Sequence, residues 1–548
     1  MTTYPSMDQY NDAVQHPQTA FSDPALKSGK VAANGLGIPV ALGGGFALTY
    51  SVASSGRRYA VRCFHKATNG LEDRYAKISR TLGAAGSQYF VGFQYQPTGI
   101  LVNGKRYPIV RMDWAEGDTL GNHLEAHFSD SGRLNRLRAD LQSLQRFLWQ
   151  KSIAHGDLQN GNLIVGRDLR LIDYDGVFVS DLPKGQGTEI GHKHFQHPKR
   201  TERDFGPDMD RFSFIVLDIS LRALAERPSL FQKFSNGENV VFTASDYADP
   251  ANSVAFSELR SLPSIAKDVE RLAQVCTAEP SRVPMLEDFL AGRNIPAGVI
   301  VLGRPASATT APSPTAYIGA FDVLDARDFT AMARRIGDRI ELIGEIVEVR
   351  MASTRQGKPY VFLNFGNWRQ NIAKITIWSE GIAKLRNAPS SSWKGKWVSV
   401  TGLVDAPYTN RRYGYTHLSI TITDASQIRF IDAREAARRL GVRGAEPTAA
   451  RAGGSRNRGL LDGLKPGGGT PPPVPRRGTP SSPPAPKTLN QALLDQLRPP
   501  GQASPPVGQS PRPGGASRPP PQRKGIPPWV WWIGGICLLL LWLWIKKR

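Results

Sequence analysis

The stretch IAHGDLQNGNLIVGRDLRLIDYDG, residues 153–176, sets three polar side chains in a fixed order. Asp157 follows a histidine and a glycine, Asn162 comes five residues later, and Asp173 closes an apolar run. The segments LIV (163–165) and LRLI (169–172) are short and apolar, as a small two-stranded hairpin requires. Such a hairpin aims the residues that flank it, Asn162 and Asp173, at one point. Taken singly, each is an ordinary turn Asp or Asn. The ordered set is not accounted for that way.

Phosphoryl transfer asks for these types at this spacing. It needs a carboxylate beside the acceptor hydroxyl, an oxygen ligand for magnesium, and a second carboxylate on the metal that bridges the phosphates. Asp157 is therefore the candidate catalytic carboxylate, and Asn162 and Asp173 are the candidate metal ligands. Upstream, ALGGGFALTY (41–50) places Gly43, Gly44 and Gly45 between strand-like runs. Glycines let a hairpin backbone close over phosphates, although a plain Gly-rich hairpin is the commoner occurrence. In the next strand, YAVRCF (59–64), Arg62 sits where a cation would meet phosphates. YPIVRMDWAEGDTL (107–120) reads as a strand that ends at Met112 and runs into a glycine-containing turn.

With these motifs in order, residues 35–292 resemble a protein-kinase-like domain of the eukaryotic-like type found in bacteria. LGGGFA resembles the Gly-rich loop and AVRCF the third strand. MDWAEG resembles the hinge that binds adenine through backbone groups, here Met112, Asp113 and Ala115. HGDLQNGN resembles the catalytic loop and DYDG the metal-binding motif. GHKHFQHPKR (191–200) resembles the end of the activation segment, and DMDRFSF (208–214) the helix start whose Asp210 braces the catalytic loop. The resemblance implies a two-lobed fold, ATP and Mg2+ as cofactors, transfer to Ser or Thr hydroxyls of a protein substrate, and a cognate phosphatase as partner. The chain departs from the pattern at several points. Arg62 replaces the usual lysine, and arginine is longer and forked. Lys66 is the alternative phosphate cation. Glu72 lies about one turn early for the helix glutamate, and Tyr75 stands near its place. Gly156 replaces the catalytic-loop arginine, Gln159 the following lysine, and Lys199 the glutamate that would pair with Arg282. Two readings follow: an atypical kinase, or a nucleotide-binding pseudokinase that acts as a scaffold.

Beyond the linker-like PASATTAPSPTA (305–316), residues 318–432 read as strand after strand: RIELIGEIVEVR, PYVFLNFG, IAKITIW, KWVSVTGLV and HLSITITDASQIRFI, with a helical SEGIAKLRN between the third and fourth. Five strands in this order resemble a small OB-fold-like β-barrel. Its aromatics include Tyr360, Phe362, Phe365, Trp368, Trp378 and Trp397, and a loop joins Arg411 and Arg412 to Tyr408, Tyr413 and Tyr415. Such residues serve either as barrel core or as a stacking surface for single-stranded nucleic acid, and protein binding is a further reading. The first thirty or so residues are polar and read as loosely ordered.

From 446 to 528 proline, glycine, serine and arginine dominate, and a segment of that kind cannot bury a core. Inside it, TLNQALLDQL (488–497) places Leu489, Leu493, Leu494 and Leu497 on one helical face. Residues 529–545 are continuously apolar, and as a helix at about 1.5 Å per residue they span roughly 26 Å. Tryptophans at both ends and Lys546, Lys547 and Arg548 beyond complete the pattern of a membrane anchor. The 69 basic residues against 47 acidic, a net charge of +22, suit an anionic membrane surface, nucleic acid or an acidic partner. Cys63, Cys276 and Cys537 are too dispersed for a disulfide framework or metal cluster. The N-terminus lacks the basic start and apolar run of a signal peptide. The expected protein is α+β: a two-lobed kinase-like domain, an OB-fold-like barrel, a disordered Pro-rich linker and one C-terminal transmembrane helix. It would be held at a bacterial inner membrane, with the catalytic part in the cytoplasm where ATP is.

Overall fold

The computed structural model describes residues 4–441, except 36, 45–46, 67–69, 299–316 and 386. Gly45, the linker 446–528 with its leucine island, and the apolar run 529–545 lie outside the described residues. The described chain is mixed α+β with several sheets, and none of its helices is long and apolar enough to cross a membrane.

The first sheet is antiparallel, in the order Lys30–Val31, Ala47–Ser54, Arg57–Phe64, Lys105–Asp113, Phe93–Val102, with Ala41–Gly44 also paired to Ala47–Ser54. Two of its hairpins turn on two residues with positive φ, Ser55–Gly56 and Asn103–Gly104, the turn whose twist matches that of the strands. Side chains alternate between the faces. Ala47, Phe64, Val110 and Met112 join the main core, where Leu71, Tyr75, Ile78 and Leu82 of helix Leu71–Ala85 meet them. Leu48, Tyr50, Val61, Cys63 and Ile109 point the other way, into a second cluster.

That second cluster overturns the expectation of a loose N-terminus. Helices Met7–Val14, Pro17–Ala20 and Pro24–Lys27 cover the sheet, burying Tyr10, Val14, Phe21 and Leu26. The Tyr10 hydroxyl donates to the Phe64 carbonyl at 2.6 Å, and the Tyr50 hydroxyl to Asn11 Oδ1 at 2.7 Å. A capping box between Ser6 and Gln9 starts the first helix. Short helices with mixed polar faces leave little periodicity to read, and their burial depends on a sheet formed later in the chain.

Residues 120–290 are mainly helical, built around Ser131–Gln150 and the almost wholly buried Arg211–Glu226. A small sheet pairs Asp118–Thr119, ahead of the first of these helices, with Leu163–Val165 and Leu169–Leu171, which follow it. The hairpin 163–171 has Asn162 before it and Asp173 after it.

Residues 322–431 form a four-stranded sheet (Asp322–Asp325, Arg339–Glu345, Trp397–Leu403, Ile428–Ile431) and a five-stranded one (Glu348–Ser353, Pro359–Asn364, Ile372–Trp378, Tyr415–Ile422, Tyr408–Asn410) around a shared core. An isolated Val404–Ile420 bridge links the two. Five strands were expected, and nine are present. RIELIGEIVEVR passes from one sheet to the other at Ile346–Val347. HLSITITDASQIRFI breaks at the turn Ala425–Gln427. Among the described residues of SEGIAKLRN, only Ser379–Ile382 is α-helical.

Candidate functional site

Asp157 sits on the loop between the long helix and the small hairpin, and the chain braces that loop from below. Buried Asp210 accepts from the backbone N–H groups of His155 and Gly156, the latter at 2.8 Å. Burial pushes the Asp210 carboxyl up, against the pull of His155 and these amides. Glycine at position 156 has a steric reason. Its φ is +82°, and a Cβ there would stand 2.4 Å from the Gly176 carbonyl oxygen. Arg200, itself buried, supplies a guanidinium at this spot instead, donating to the Gly156 carbonyl at 3.0 Å.

Both oxygens of Asp157 are held. Oδ2 accepts from Asn162 Nδ2 at 2.7 Å and Oδ1 from the His192 backbone N–H at 2.7 Å. Because the Asn162 amide nitrogen faces Asp157, its Oδ1 is the atom left for a cation. Asp173, in a left-handed backbone conformation (φ +66°), keeps its side chain 40% exposed. Among the described residues no group of three or more His, Cys, Asp and Glu side chains is placed to hold a metal. Two oxygen donors still fit magnesium, which characteristically takes one or two protein ligands and completes its shell with phosphates and water.

Arg62 is buried and forked between two carboxylates, with Nη1 on Asp173 and Nη2 on Asp175. Burial alone would lower its pKa, but the two acids more than offset this and hold the guanidinium charged. Tyr75, from helix Leu71–Ala85, donates its hydroxyl to the same Asp175, and Arg74 donates to the backbone carbonyls of Asp175 (2.6 Å) and Val177 (3.1 Å). Glu72 is exposed. The carboxylate sought on the helix is thus Asp175 on the loop, a residue the sequence reading passed over. The repeated acid of DYDG was its only signal.

Glu189 was missed too. It lines the same space, and burial with Asp175, Asp173 and Asp157 nearby raises its pKa well above the usual carboxylate range. Lys66 is not aimed at phosphates, since it pairs with Asp338 of the second region. Lys199 exchanges the sign of the expected ion pair, meeting Glu279 at 3.3 Å and the Thr277 carbonyl at 2.7 Å.

One cavity of about 980 Å³ collects Gly43, Arg62, Met112, Asp113, Ala115, Asp157, Asn162 and Asp173. Gly43 has φ +94°, a conformation glycine adopts without cost, at the end of the hairpin strand Ala41–Gly44. Gly44 is the last residue of that strand. Beyond Met112 the Asp113 N–H is taken by the Gly92 carbonyl (2.8 Å) and the Trp114 N–H by the Arg58 carbonyl (3.0 Å).

The opposite wall of the cavity belongs to residues 322–431, and Phe362, Lys374, Trp378, Asp405 and Tyr408 line it. Lys374 Nζ lies 4.1 Å from the centroid of the Phe362 ring. Burial pushes Lys374 down to about 8, partly offset by Asp405. Burial also raises Asp405 to about 6, against hydrogen bonds from Thr421 (2.7 Å) and Ser419 (3.1 Å). Of the other aromatics, Tyr360 and Phe365 are buried, while Tyr413 is exposed and stacked on Tyr415. Arg412 sits over the Tyr413 ring. Trp368 lies beneath Arg350 and Arg369. No protein-family model and no curated protein matches the chain.

Proposed function

We propose that the chain is an ATP- and magnesium-dependent phosphotransferase with a protein-kinase-like domain at 35–292, acting on Ser or Thr hydroxyls of a protein. One observation carries this reading: eight residues chosen for separate roles line a single cavity, though they span positions 43 to 173. In this reading Asp157 accepts the proton of the acceptor hydroxyl and orients it. Asn162 Oδ1 and Asp173 would hold magnesium, which supplies charge neutralisation on the phosphates. Arg62 is a buried cation lining the same cavity, and Met112, Asp113 and Ala115 would flank the adenine. The test is transfer of radiolabelled phosphate from ATP to the chain itself or to generic protein substrates, compared between wild type and Asp157→Asn. Transfer that survives Asp157→Asn, or is absent in the wild type, overturns it.

A nucleotide-binding scaffold is the second reading. The engagement of both Arg62 Nη atoms by Asp173 and Asp175 favours it, because those donors are committed to protein carboxylates. Nucleotide binding without transfer would select it. For residues 318–432 we propose an OB-fold-like barrel. Its support is the parallel pairing of Ile372–Trp378 with Tyr415–Ile422 and the antiparallel pairing of Arg339–Glu345 with Trp397–Leu403. Phe362, Trp378, Tyr408 and Lys374 would be its ligand face, for single-stranded nucleic acid or a protein segment. The apolar run 529–545 is proposed as the membrane anchor, with the catalytic part on the cytoplasmic side and a phosphatase as its functional counterpart. Truncation before Trp529 should then release the protein to the soluble fraction.

A further inference from the structure

Asp338 and Arg339 are consecutive, of opposite charge, and grip opposite sides of the cleft. Asp338 pairs with Lys66, just beyond the end of strand Arg57–Phe64 in the N-terminal sheet. Arg339 Nη2 donates to Glu238 Oε1 at 3.1 Å, in the helical half. The other oxygen of Glu238 meets His192 Nε2 at 3.2 Å. His192 Nδ1 accepts from the His194 N–H at 3.3 Å, so the ring hydrogen sits on Nε2 and points at Glu238. The backbone N–H of His192 ends the series on Asp157 Oδ1. Phe321 of the second region fills the corner, edge-on to the His192 ring at 5.4 Å and beneath the Arg339 guanidinium at 5.1 Å.

We infer that Asp338 and Arg339 are positioning residues for the cleft: Asp338 holds its N-terminal wall through Lys66, and Arg339 holds Asp157 through Glu238 and His192. The β-rich region is then a working part of the catalytic unit. The two ends differ in strength. Lys66 is 42% exposed and its pair with Asp338 is screened by solvent. His192 is buried, at 4%, and Glu238 is mostly covered, at 13%, so the inner links are largely shielded. Without Arg339, Glu238 keeps His192 as its one side-chain partner in this series, and the segment that presents the His192 amide to Asp157 loses its anchor.

This inference rests on the phosphotransferase reading for its kinetic consequence, but not for its structural one. The experiment uses the full chain with Arg339→Ala, Arg339→Lys, Glu238→Gln and Asp338→Asn. It measures backbone hydrogen exchange at 189–197, affinity for a fluorescent ATP analogue with magnesium, and phosphate transfer. In Arg339→Ala and Glu238→Gln, exchange at the His192 amide should rise about tenfold or more, the scale of losing a charge-assisted hydrogen bond. Turnover should fall by a similar factor with KM for ATP little changed, because the lost interaction orients Asp157. Arg339→Lys should restore part of both. Asp338→Asn should act chiefly on release of the analogue. If Arg339→Ala and Glu238→Gln fold with unchanged exchange at His192, the inference fails, whatever the activity. Should Arg339→Ala not fold, Glu238→Gln and Arg339→Lys decide by the same readout. If the wild type binds no ATP, the phosphotransferase reading fails while the exchange comparison still tests the series.

Discussion

Arg62 and Asp175 form a largely buried ion pair between strand Arg57–Phe64 of the N-terminal sheet and the loop that follows the small hairpin. The same guanidinium reaches Asp173, so one cation ties both acids of DYDG to the sheet. Helix Leu71–Ala85 contributes a neutral hydroxyl, from Tyr75, to this group. The position of the helix is therefore read out by a hydrogen bond to Asp175, where a helix carboxylate had been the expected contact. Breaking a buried pair by removing one partner strands the other charge, at a cost of about 3–5 kcal/mol. Arg62→Met should destabilise the protein by that order, seen as a lower denaturant midpoint with unchanged slope. Arg62→Lys keeps the charge but not the fork, and should fall between. A loss below about 1 kcal/mol for Arg62→Met, the scale of an exposed ion pair, would show that the pair is not the buried anchor described.

Nucleotide binding should separate from transfer at Asp157 and Asp173. Asp173→Ala removes the proposed cation ligand and also half of the Arg62 fork. ATP with magnesium should then no longer raise the melting temperature. Asp157→Asn keeps the shape and should keep that rise while abolishing transfer. A saturating ligand stabilises by about 2.7 kcal/mol at one hundred times its Kd, a shift of several degrees for a domain of this size. Calorimetry of both variants with ATP, with and without magnesium, checks this. Equal shifts in the two variants would remove Asp173 from the site.

What the sequence made legible was local. Asn162 and Asp173 flank a hairpin of nine residues, so their placement on one cavity could be read from an apolar–turn–apolar pattern. The engagement of Arg62 by Asp175, 113 residues away, has no local signature. The same holds for Arg339 and Glu238, 101 residues apart. The N-terminal helices were missed because each is too short for a periodic stripe and depends on Phe64 and Tyr50 for partners. The strand count failed where one apolar run turns a corner between sheets, since a bend at Ile346–Val347 changes direction without changing composition.

Glu189 should reveal itself in a pH series. Its carboxyl is held well above its ordinary value of 4.5 by burial and by three neighbouring acids. The folded state thus binds this proton more tightly than the unfolded state. The associated stability is present below the unfolded pKa and is lost as pH rises toward the folded one. Glu189→Gln should therefore leave stability at acidic pH nearly unchanged and raise it at neutral pH, flattening the profile above about pH 4.5. Equal stability differences at pH 4 and pH 7 would mean that the proton is not there.

Lys374 and Asp405 face each other on the cavity wall and bring two further pH windows, each with its own sign. Asp405 titrates near 6 when folded, against 3.8 ordinarily, so ionising it in place is costly. Stability should fall as pH rises from about 4 to about 6, and Asp405→Asn should remove that fall. Lys374 titrates near 8 when folded, against 10.5, so its charged form is the costly one. Its cost is complete below pH 8 and fades between about 8 and 10.5, so stability attributable to it should rise with pH in that window. Lys374→Met should abolish the rise and add stability at pH 7, on the order of 1–3 kcal/mol. Between the windows the wall carries one ammonium over an aromatic ring and one carboxylate held by two hydroxyls. An anionic ligand seated there should bind with constant affinity from pH 6.5 to 7.5 and more weakly above pH 8, as the ammonium is lost. Denaturation of wild type and the two variants from pH 4 to pH 10 measures the two stability windows, and titration with an anionic ligand over the same range measures the affinity. Lys374→Met matching the wild-type slope above pH 8 would place the ammonium in solvent, and the wall would then lack the buried cation on which anion binding depends.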